Sequence, residues 1–486
     1  MSKIIDTAQP NLLRHVFPTY RVPRVSFAEG ALQVDVPQQG WCVDSTLAQG
    51  TLALEQPTLE HARRLLELMD RLDSQSGLVR MVEIRVEGPV GRDLLEMALE
   101  RHNQSSRLEP VAVVATSTEA LRSLEGLQPR EVGFDVAASD FQNHLGQNGS
   151  RSEQAARLIA MIDACLDQQY QPRLDLVDMT RCDLEGYVFP LLETCLGHLA
   201  RHGTAQLKLR LCDTMGLGLP WSTAPVPRSV PRLMHTIRHA LGLLPQQLEF
   251  LGANDLGLGL PNALAAILSG CSGVVCSVGG VGDRGGIAPI ELVLIHLGGL
   301  SGCDCDLTVV PQLLSMLEPL GLSVDNHHPI WGEEALITSH LPTAHPLDQA
   351  GELLAPFDTN KLAGCAPRVV VRPQSGPLGI AHLIRHEFRH TRSAPQGREE
   401  PEFRHTRSAP QGREEPEFRH TRSAPQGRED RRAEFRTCEI QPDDEAVRAI
   451  HRWATERGLK EIAWESIEPR VRELLPQLFE QEADAD

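Results

Sequence analysis

The stretch LEFLGANDLGLGLPNALAAILSGCSGVVCSVGGVGDRGGIAPIE, Leu248 to Glu291, decides the fold. Two short apolar runs, Leu248 to Leu251 and Gly273 to Val278, flank a segment of helical period, and a glycine-rich loop follows. Short run, helix, short run is the signature of parallel strands joined by a crossover helix. Toward the N-terminus the same alternation recurs, with candidate strands near Trp41 to Ser45, Met81 to Val86, Val111 to Ala115, Glu131 to Val136, Leu174 to Asp178 and Leu207 to Cys212. Eight units predict an α/β fold closed into a TIM-type (β/α)8 barrel. The segment after Pro57 and Thr58 shows the helical pattern: Leu59, Ala62, Leu65, Leu66, Met69 and Leu72 recur at steps of three and four, and Gly77 is expected to end the helix.

Within the opening stretch, Gly280, Gly282 and Gly285 also spell G-x-G-x-x-G. A dinucleotide fingerprint needs a further strand to complete the βαβ unit, and here the loop CDCD, Cys303 to Asp306, follows instead. The glycines therefore read as a loop at the end of strand eight, where barrels bind phosphate groups; a CoA thioester could use it.

The rest of the chain bounds the function. At 486 residues it exceeds a single barrel. The expected organisation is a lead-in at 1–39, the barrel at 40–300, an appended α/β subdomain at 301–366, a connector at 367–386, a repeat linker at 387–433 and a helical tail at 434–486. The linker carries a 15-residue unit, EFRHTRSAPQGREEP, beginning at Glu387 and Glu402, with a third copy from Glu417. With one Phe per copy it cannot bury enough apolar surface to offset the entropy of ordering, which predicts disorder and a spacer role. A net charge of -18 argues against a nucleic-acid partner. The chain shows no apolar run of signal-peptide length at its start and no uncharged stretch of membrane-spanning length, so no membrane partner and a cytoplasmic location are expected. Eleven cysteines, scattered through mostly apolar segments, fit reduced thiols.

Four motifs carry the chemistry. They are VDSTLAQG (Val43 to Gly50), LDLVDMTRCD (Leu174 to Asp183), LCDTMGLGLP (Leu211 to Pro220) and the opening stretch. In order and spacing they resemble the pyruvate-carboxyltransferase-like barrels: the isopropylmalate, homocitrate and citramalate synthases and hydroxymethylglutaryl-CoA lyase. Matching positions include Asp44, Thr46, Leu47 and Gly50; Asp178, Arg181 and Asp183; Asp213, Thr214, Gly216 and Pro220; and Asn254, Asp255, Gly257, Asn262, Gly280, Gly282, Arg284 and Glu291. Val177 stands where the family pattern has an acid.

The resemblance implies a divalent metal acting as Lewis acid on a 2-oxo acid during condensation with an acyl-CoA, assisted by an Arg after strand one. The positions it assigns to the metal are Gln49, Leu251, Ala253 and Gly279, and the Arg position is Ala48. Leu, Ala and Gly offer no side-chain donor, so no resident metal cofactor and loss of the family's condensation are expected. Two readings follow. In the first the chain is a pseudoenzyme, a ligand sensor or a partner subunit in a homodimer or in a heteromer with an active paralogue. In the second it is an acyltransferase or lyase acting on acyl-CoA or 2-oxo acids by metal-independent chemistry, with Asp213, Asp255 and Arg284 as catalytic groups and Glu83, Thr214, Asn254, Gly280 and Gly282 binding ligand. The blander roles are that Asp213, Asn254 and Asp255 hold turns, that Glu83 is neutralised by Arg85 or Arg284, and that His327, His328, His340 and His345 are surface residues.

Overall fold

The structure is a computed structural model that describes residues 37, 39–146, 149–203, 207–302, 304–322, 324–339, 354–390 and 440–479. Most of the lead-in, the repeat tract beyond its first residues, His340, His345, Cys303 and Cys438 lie outside the described residues. The chain divides into two compact units, Met1–Leu336 with Ala350–Pro367, and Ile337–Gln349 with Arg368–Asp486.

The first unit is a closed (β/α)8 barrel. Its strands are β1 (Trp41–Asp44), β2 (Val79–Arg85), β3 (Glu109–Val113), β4 (Glu131–Ala137), β5 (Gln171–Val177), β6 (Lys208–Asp213), β7 (Leu248–Gly252) and β8 (Gly273–Ser277), each parallel to the next. Pairing of β1 with β8, Trp41 opposite Gly273 and Val43 opposite Val275, closes the ring. The crossover helices are α1 (Leu59–Asp73), α2 (Gly88–Gln104), α3 (Arg151–Asp167), α4 (Phe189–His202), α5 (Val230–Ala240), α6 (Gly259–Leu268) and α7 (Ile290–Ser301). Between β3 and β4 a single 3-10 turn, Ala120–Leu124, replaces the expected helix. The turn buries Leu121 and Leu124, too few for a stripe of several turns.

Local chemistry explains where the helices begin and stop. Thr58 caps α1 by accepting the His61 N–H at 3.1 Å, and Ala62, Leu65, Leu66, Met69 and Leu72 are buried against the sheet. The helix ends at Ser74 in a left-handed conformation, φ 48°, three residues before Gly77. The stop comes early because the Asp73 carboxylate accepts from the N–H groups of Gly77 and Val79, at 3.2 and 2.9 Å, and so folds the chain back into β2. Ser150 and Glu153 form a reciprocal capping box at the start of α3. Truncating a fully buried residue of such a stripe, Leu65→Ala for example, costs about 2–5 kcal/mol.

The short β9 (Ala288–Pro289) pairs with β8 ahead of α7, and α8 (Val310–Ser315) and α9 (Thr359–Ala363) follow the barrel. In the NHHPIW turn Trp331 donates its indole N–H to the Ala363 carbonyl at 3.1 Å. The second unit pairs β10 (Ile337–Thr338) with β11 (Arg368–Val369) and packs α10 (Gly376–His390), α11 (Glu445–Glu456) and α12 (Trp464–Leu474) together. Its core is Ile380, Ala381 and Ile384 against Val447, Ile450, Ile467 and Val471. The stretch 367–386, read above as a connector, thus supplies β11 and much of α10. Its apolar residues at steps of three and four belong to the same core as the tail. Among the described residues no helix is long and apolar enough to cross a membrane, and all the cysteines are free, seven of them buried.

Candidate functional site

Inward-facing residues alternate along each strand, so the strand register dictates what fills the barrel. Gly133 lies opposite Arg173, Asp135 opposite Asp175, Arg173 opposite Lys208, Asp175 opposite Arg210, and Arg210 opposite Glu249. These charged side chains form a lattice. Arg173 meets Glu83 at 2.6 Å, Asp175 at 2.7 Å and Glu131 at 2.9 Å. Arg210 holds Glu83 and Glu249 at 2.6 Å each, and Lys208 holds Glu131 at 2.6 Å and Glu249 at 2.8 Å. No member is more than 10% exposed. Glycine at 133 makes the space: a Cβ there would meet the Arg173 guanidinium at 2.2 Å.

Burial by itself would push the Glu83 carboxyl up, but the charges of Arg210 and Arg173 overcome it and hold Glu83 at about 2. Glu249 is held low in the same way, by Lys208, Arg210 and Arg173 against its burial. Glu83 is therefore neutralised by Arg173 and Arg210, not by Arg85 or Arg284 as the sequence suggested. Arg85 is turned toward the Ala48 carbonyl and Glu87, at 3.3 and 3.1 Å, and Arg284 belongs to the loop after β8. Ser45 adds a 2.7 Å hydrogen bond to Glu83.

Above the lattice, at the C-terminal ends of the strands, the barrel mouth has two characters. One side is apolar: Leu251 packs with Val43, Cys212, Val275, Ile287 and Val177. The other side carries Asp135. Its backbone carbonyl accepts the Thr116 hydroxyl at 2.6 Å, while among the described residues its carboxylate, open to solvent, makes no hydrogen bond or ion pair. Burial and the charge of Asp175 raise its carboxyl to about 6, against the opposing charges of Arg85, Arg210 and Arg173. Asp135 was not singled out in the sequence, although Glu131, Gly133 and Asp135 share one parity on β4 and so one face of the sheet.

The residues singled out in the sequence meet mainly at the loops after β6, β7 and β8. Asp213 accepts from the Thr180 hydroxyl at 2.8 Å and from the N–H groups of Leu217 and Gly218 at 2.9 and 2.8 Å, which fixes the loop after β6. Burial pushes its carboxyl up against these hydrogen bonds. The Thr214 hydroxyl accepts the Asp178 N–H at 2.8 Å, tying the loop after β5 to the loop after β6. Asn254 accepts the Gly259 N–H at 3.0 Å as α6 begins. Arg284 binds Asp255 through two nitrogens at 2.7 and 3.1 Å and donates to the Thr214 carbonyl, so it joins three loops. It does so at φ 52°, a strained conformation of the kind that collects at ligand sites. Gly280 also sits at positive φ, +70°, where a Cβ would meet the Ile287 carbonyl at 2.8 Å, and a Cβ on Gly282 would meet the Gly286 Cα at 3.3 Å. Glu83 lies apart from this group, in the lattice.

His328 departs from the surface role expected of it. It is buried against Glu291, 2.8 Å away, and Glu291 accepts the Gly279 N–H at 3.2 Å. His327, its neighbour, is exposed. Burial opposes protonation of His328, but Glu291 prevails and raises it.

The positions that the resemblance assigns to a metal occupy the C-terminal ends of β7, β8 and β1, three strands adjacent in the ring. Leu251 belongs to the apolar cluster, Ala253 bridges Ile287, and Gly279 presents its backbone to Leu314 and Leu317, 3.3 and 3.4 Å from where a Cβ would stand. Only Gln49 brings a donor. A divalent cation needs several O or N donors converging on one point, and this donor set does not fit one.

The HMGL-like family model matches residues 42–313. The chain belongs to the HMGL-like family. Within 381 aligned residues this HMGL-like protein is 29% identical to the 2-phosphinomethylmalate synthase of Streptomyces hygroscopicus, over 77% of this chain and 86% of that one. It is 26% identical over 390 residues to the citrate (Re)-synthase of Clostridium kluyveri, over 80% and 85% of the two chains. The crystal structure of hydroxymethylglutaryl-CoA lyase from Pseudomonas aeruginosa superposes with a TM-score of 0.47 and 20% identity, over 62% of this chain and 99% of that one.

Proposed function

We propose that this HMGL-like protein is a non-condensing relative of the synthases, a barrel that binds a 2-oxo acid or an acyl-CoA and acts as a ligand sensor or partner subunit. The observation that carries this reading is Leu251: where the family's chemistry calls for a metal donor, its side chain is packed into an apolar cluster. Without a Lewis acid, and with Ala48 in place of the strand-one Arg, no preorganised charge stabilises a developing enolate. The linked loops around Arg284 and the glycine-rich loop after β8 still provide a surface for an anionic ligand. A direct test incubates the protein with acetyl-CoA and a panel of 2-oxo acids in the presence of magnesium, manganese or zinc. Thermal shifts with CoA esters or 2-oxo acids and no release of free thiol are expected; metal-dependent thiol release would overturn the reading.

One observation favours a second reading, in which the barrel catalyses metal-independent proton transfer. Asp135, its carboxyl held at about 6 and without a side-chain hydrogen-bonding partner among the described residues, has the properties of a general acid or base at neutral pH. On this reading Asp213, Asp255 and Arg284 hold the loops after β6, β7 and β8. Any turnover found with acyl-CoA or 2-oxo acids should then vanish in Asp135→Asn, while ligand-induced thermal shifts persist.

A further inference from the structure

On the outer layer of the barrel, away from the mouth, three metal-ligating side chains come together. His198 and His202 lie one turn apart on α4, and Asp163 faces them from the neighbouring α3. The His198 Nε2 stands 2.6 Å and the His202 Nε2 3.6 Å from the same oxygen, Asp163 Oδ1, and the two rings are 4.9 Å apart. All three ligand atoms lie within 4.8 Å of one another, and among the described residues no other group of His, Cys, Asp and Glu converges in this way.

We propose that Asp163, His198 and His202 form a binding site for a zinc-type divalent cation that clips α3 to α4. Two neutral imidazoles four residues apart on one helix, with a carboxylate from a second helix, supply the borderline N and O donors that such ions take, and solvent completes the tetrahedron. Bonds of about 2.0–2.1 Å to a tetrahedral centre place the donors roughly 3.4 Å apart. The present spacings lie on either side of that value. His202 occupies the last helical position before Gly203, where the chain turns away at φ 76°, so side-chain rotation there disturbs no packed core. Helix carbonyls point along α4 toward this end, and their partial negative charge favours a cation there. The bland alternative is that the imidazoles merely donate hydrogen bonds to Asp163; the cation differs from it in demanding all three side chains at once.

The site lies near the C-terminal ends of helices whose strands open at the opposite face. It is therefore a stabilising clip, separate from whatever ligand the mouth takes. The test uses the metal-stripped full chain, titrated with cobalt to read tetrahedral absorption in the visible and with zinc by calorimetry. One equivalent is expected, accompanied by a rise in Tm. His202→Ala, a change at a half-exposed side chain, and Asp163→Asn should each weaken zinc binding by about 100-fold or more without altering the circular dichroism of the free protein. A double substitution of His235 and His239, a pair on α5 with rings 4.2 Å apart and tilted by 48°, should leave binding intact. Absence of uptake by the parent, parent-like affinity in either variant, or loss of binding in the α5 variant would each overturn the proposal.

Discussion

Replacing Arg173 by Met keeps much of the side chain's volume and removes its charge, and the barrel interior predicts an unusually large effect. Arg173 is fully buried and lies within hydrogen-bond distance of three carboxylates, Glu83, Asp175 and Glu131. The lattice pairs four carboxylates with three cations, so the substitution turns one net negative charge into two in a buried interior. Removing one partner of a single buried pair costs about 3–5 kcal/mol, and here three carboxylates each lose one of their two cations together. The loss is thus on the order of 5 kcal/mol or more, comparable with the entire stability of many domains, about 5–15 kcal/mol. The pH dependence should also reverse. In the parent, Glu83 is held at about 2, below its unfolded value, so its contribution is present above about pH 4 and fades as the pH falls toward 2. In Arg173→Met the four carboxylates share only Lys208 and Arg210 and bind protons more tightly when folded, so stability should rise as the pH falls from 7 to 5. Urea unfolding at pH 7 and pH 5, followed through the buried Trp41, measures both effects. A variant within about 1 kcal/mol of the parent at pH 7, inside the ordinary range for point substitutions, would refute the reasoning. So would one that loses stability with acid in step with the parent.

Further expectations follow from other parts of the first unit. Burial, opposed by two hydrogen bonds from Thr46, raises the Asp44 carboxyl to about 7, so its contribution is complete below about pH 4 and lost as the pH rises through 7. Asp44→Asn should flatten that slope and, at pH 8, gain up to about 4 kcal/mol relative to the parent, read by chemical denaturation at pH 5 and pH 8. Gly280→Ala should cost about 1–3 kcal/mol, from its positive φ and the Ile287 carbonyl in its way, and should open the loop after β8 to proteolysis; a cleavage pattern like that of the parent would count against it. Arg284→Ala should abolish thermal stabilisation by CoA esters while shifting the Tm of the free protein by no more than about 2 °C, because the side chain is 40% exposed; undiminished stabilisation would remove Arg284 from the ligand site.

The barrel was legible because strand periodicity and the order of four motifs both act locally in sequence. The sites of failure share a cause: each depends on partners distant in sequence. Glu83 is separated from Arg173 and Arg210 by three or four strand units, so the nearer Arg85 was the natural but incorrect partner. His328 looked like a surface turn residue because nothing in NHHPIW marks Glu291 as its neighbour. Gly77 resembled a helix stop, but the Asp73 side chain acted sooner. The connector's stripe of Ile380 and Ile384 gains meaning only when α11 is folded against it. Asp135 was recoverable in principle, since its parity on β4 is shared with Glu131 and Gly133; what periodicity withholds is that its neighbours leave it unpaired.

The charged lattice also limits how a lineage of such barrels can change. Seven side chains on five strands hold one another's charge, so a substitution at one of them is survivable only with a compensating change at another. The mouth positions Leu251, Ala253 and Gly279 have no such interlock: they contact apolar side chains or backbone. Selection can therefore rewrite what the barrel recognises in single steps while the interior permits only paired moves, and a scaffold with this division can exchange its chemistry without losing its fold.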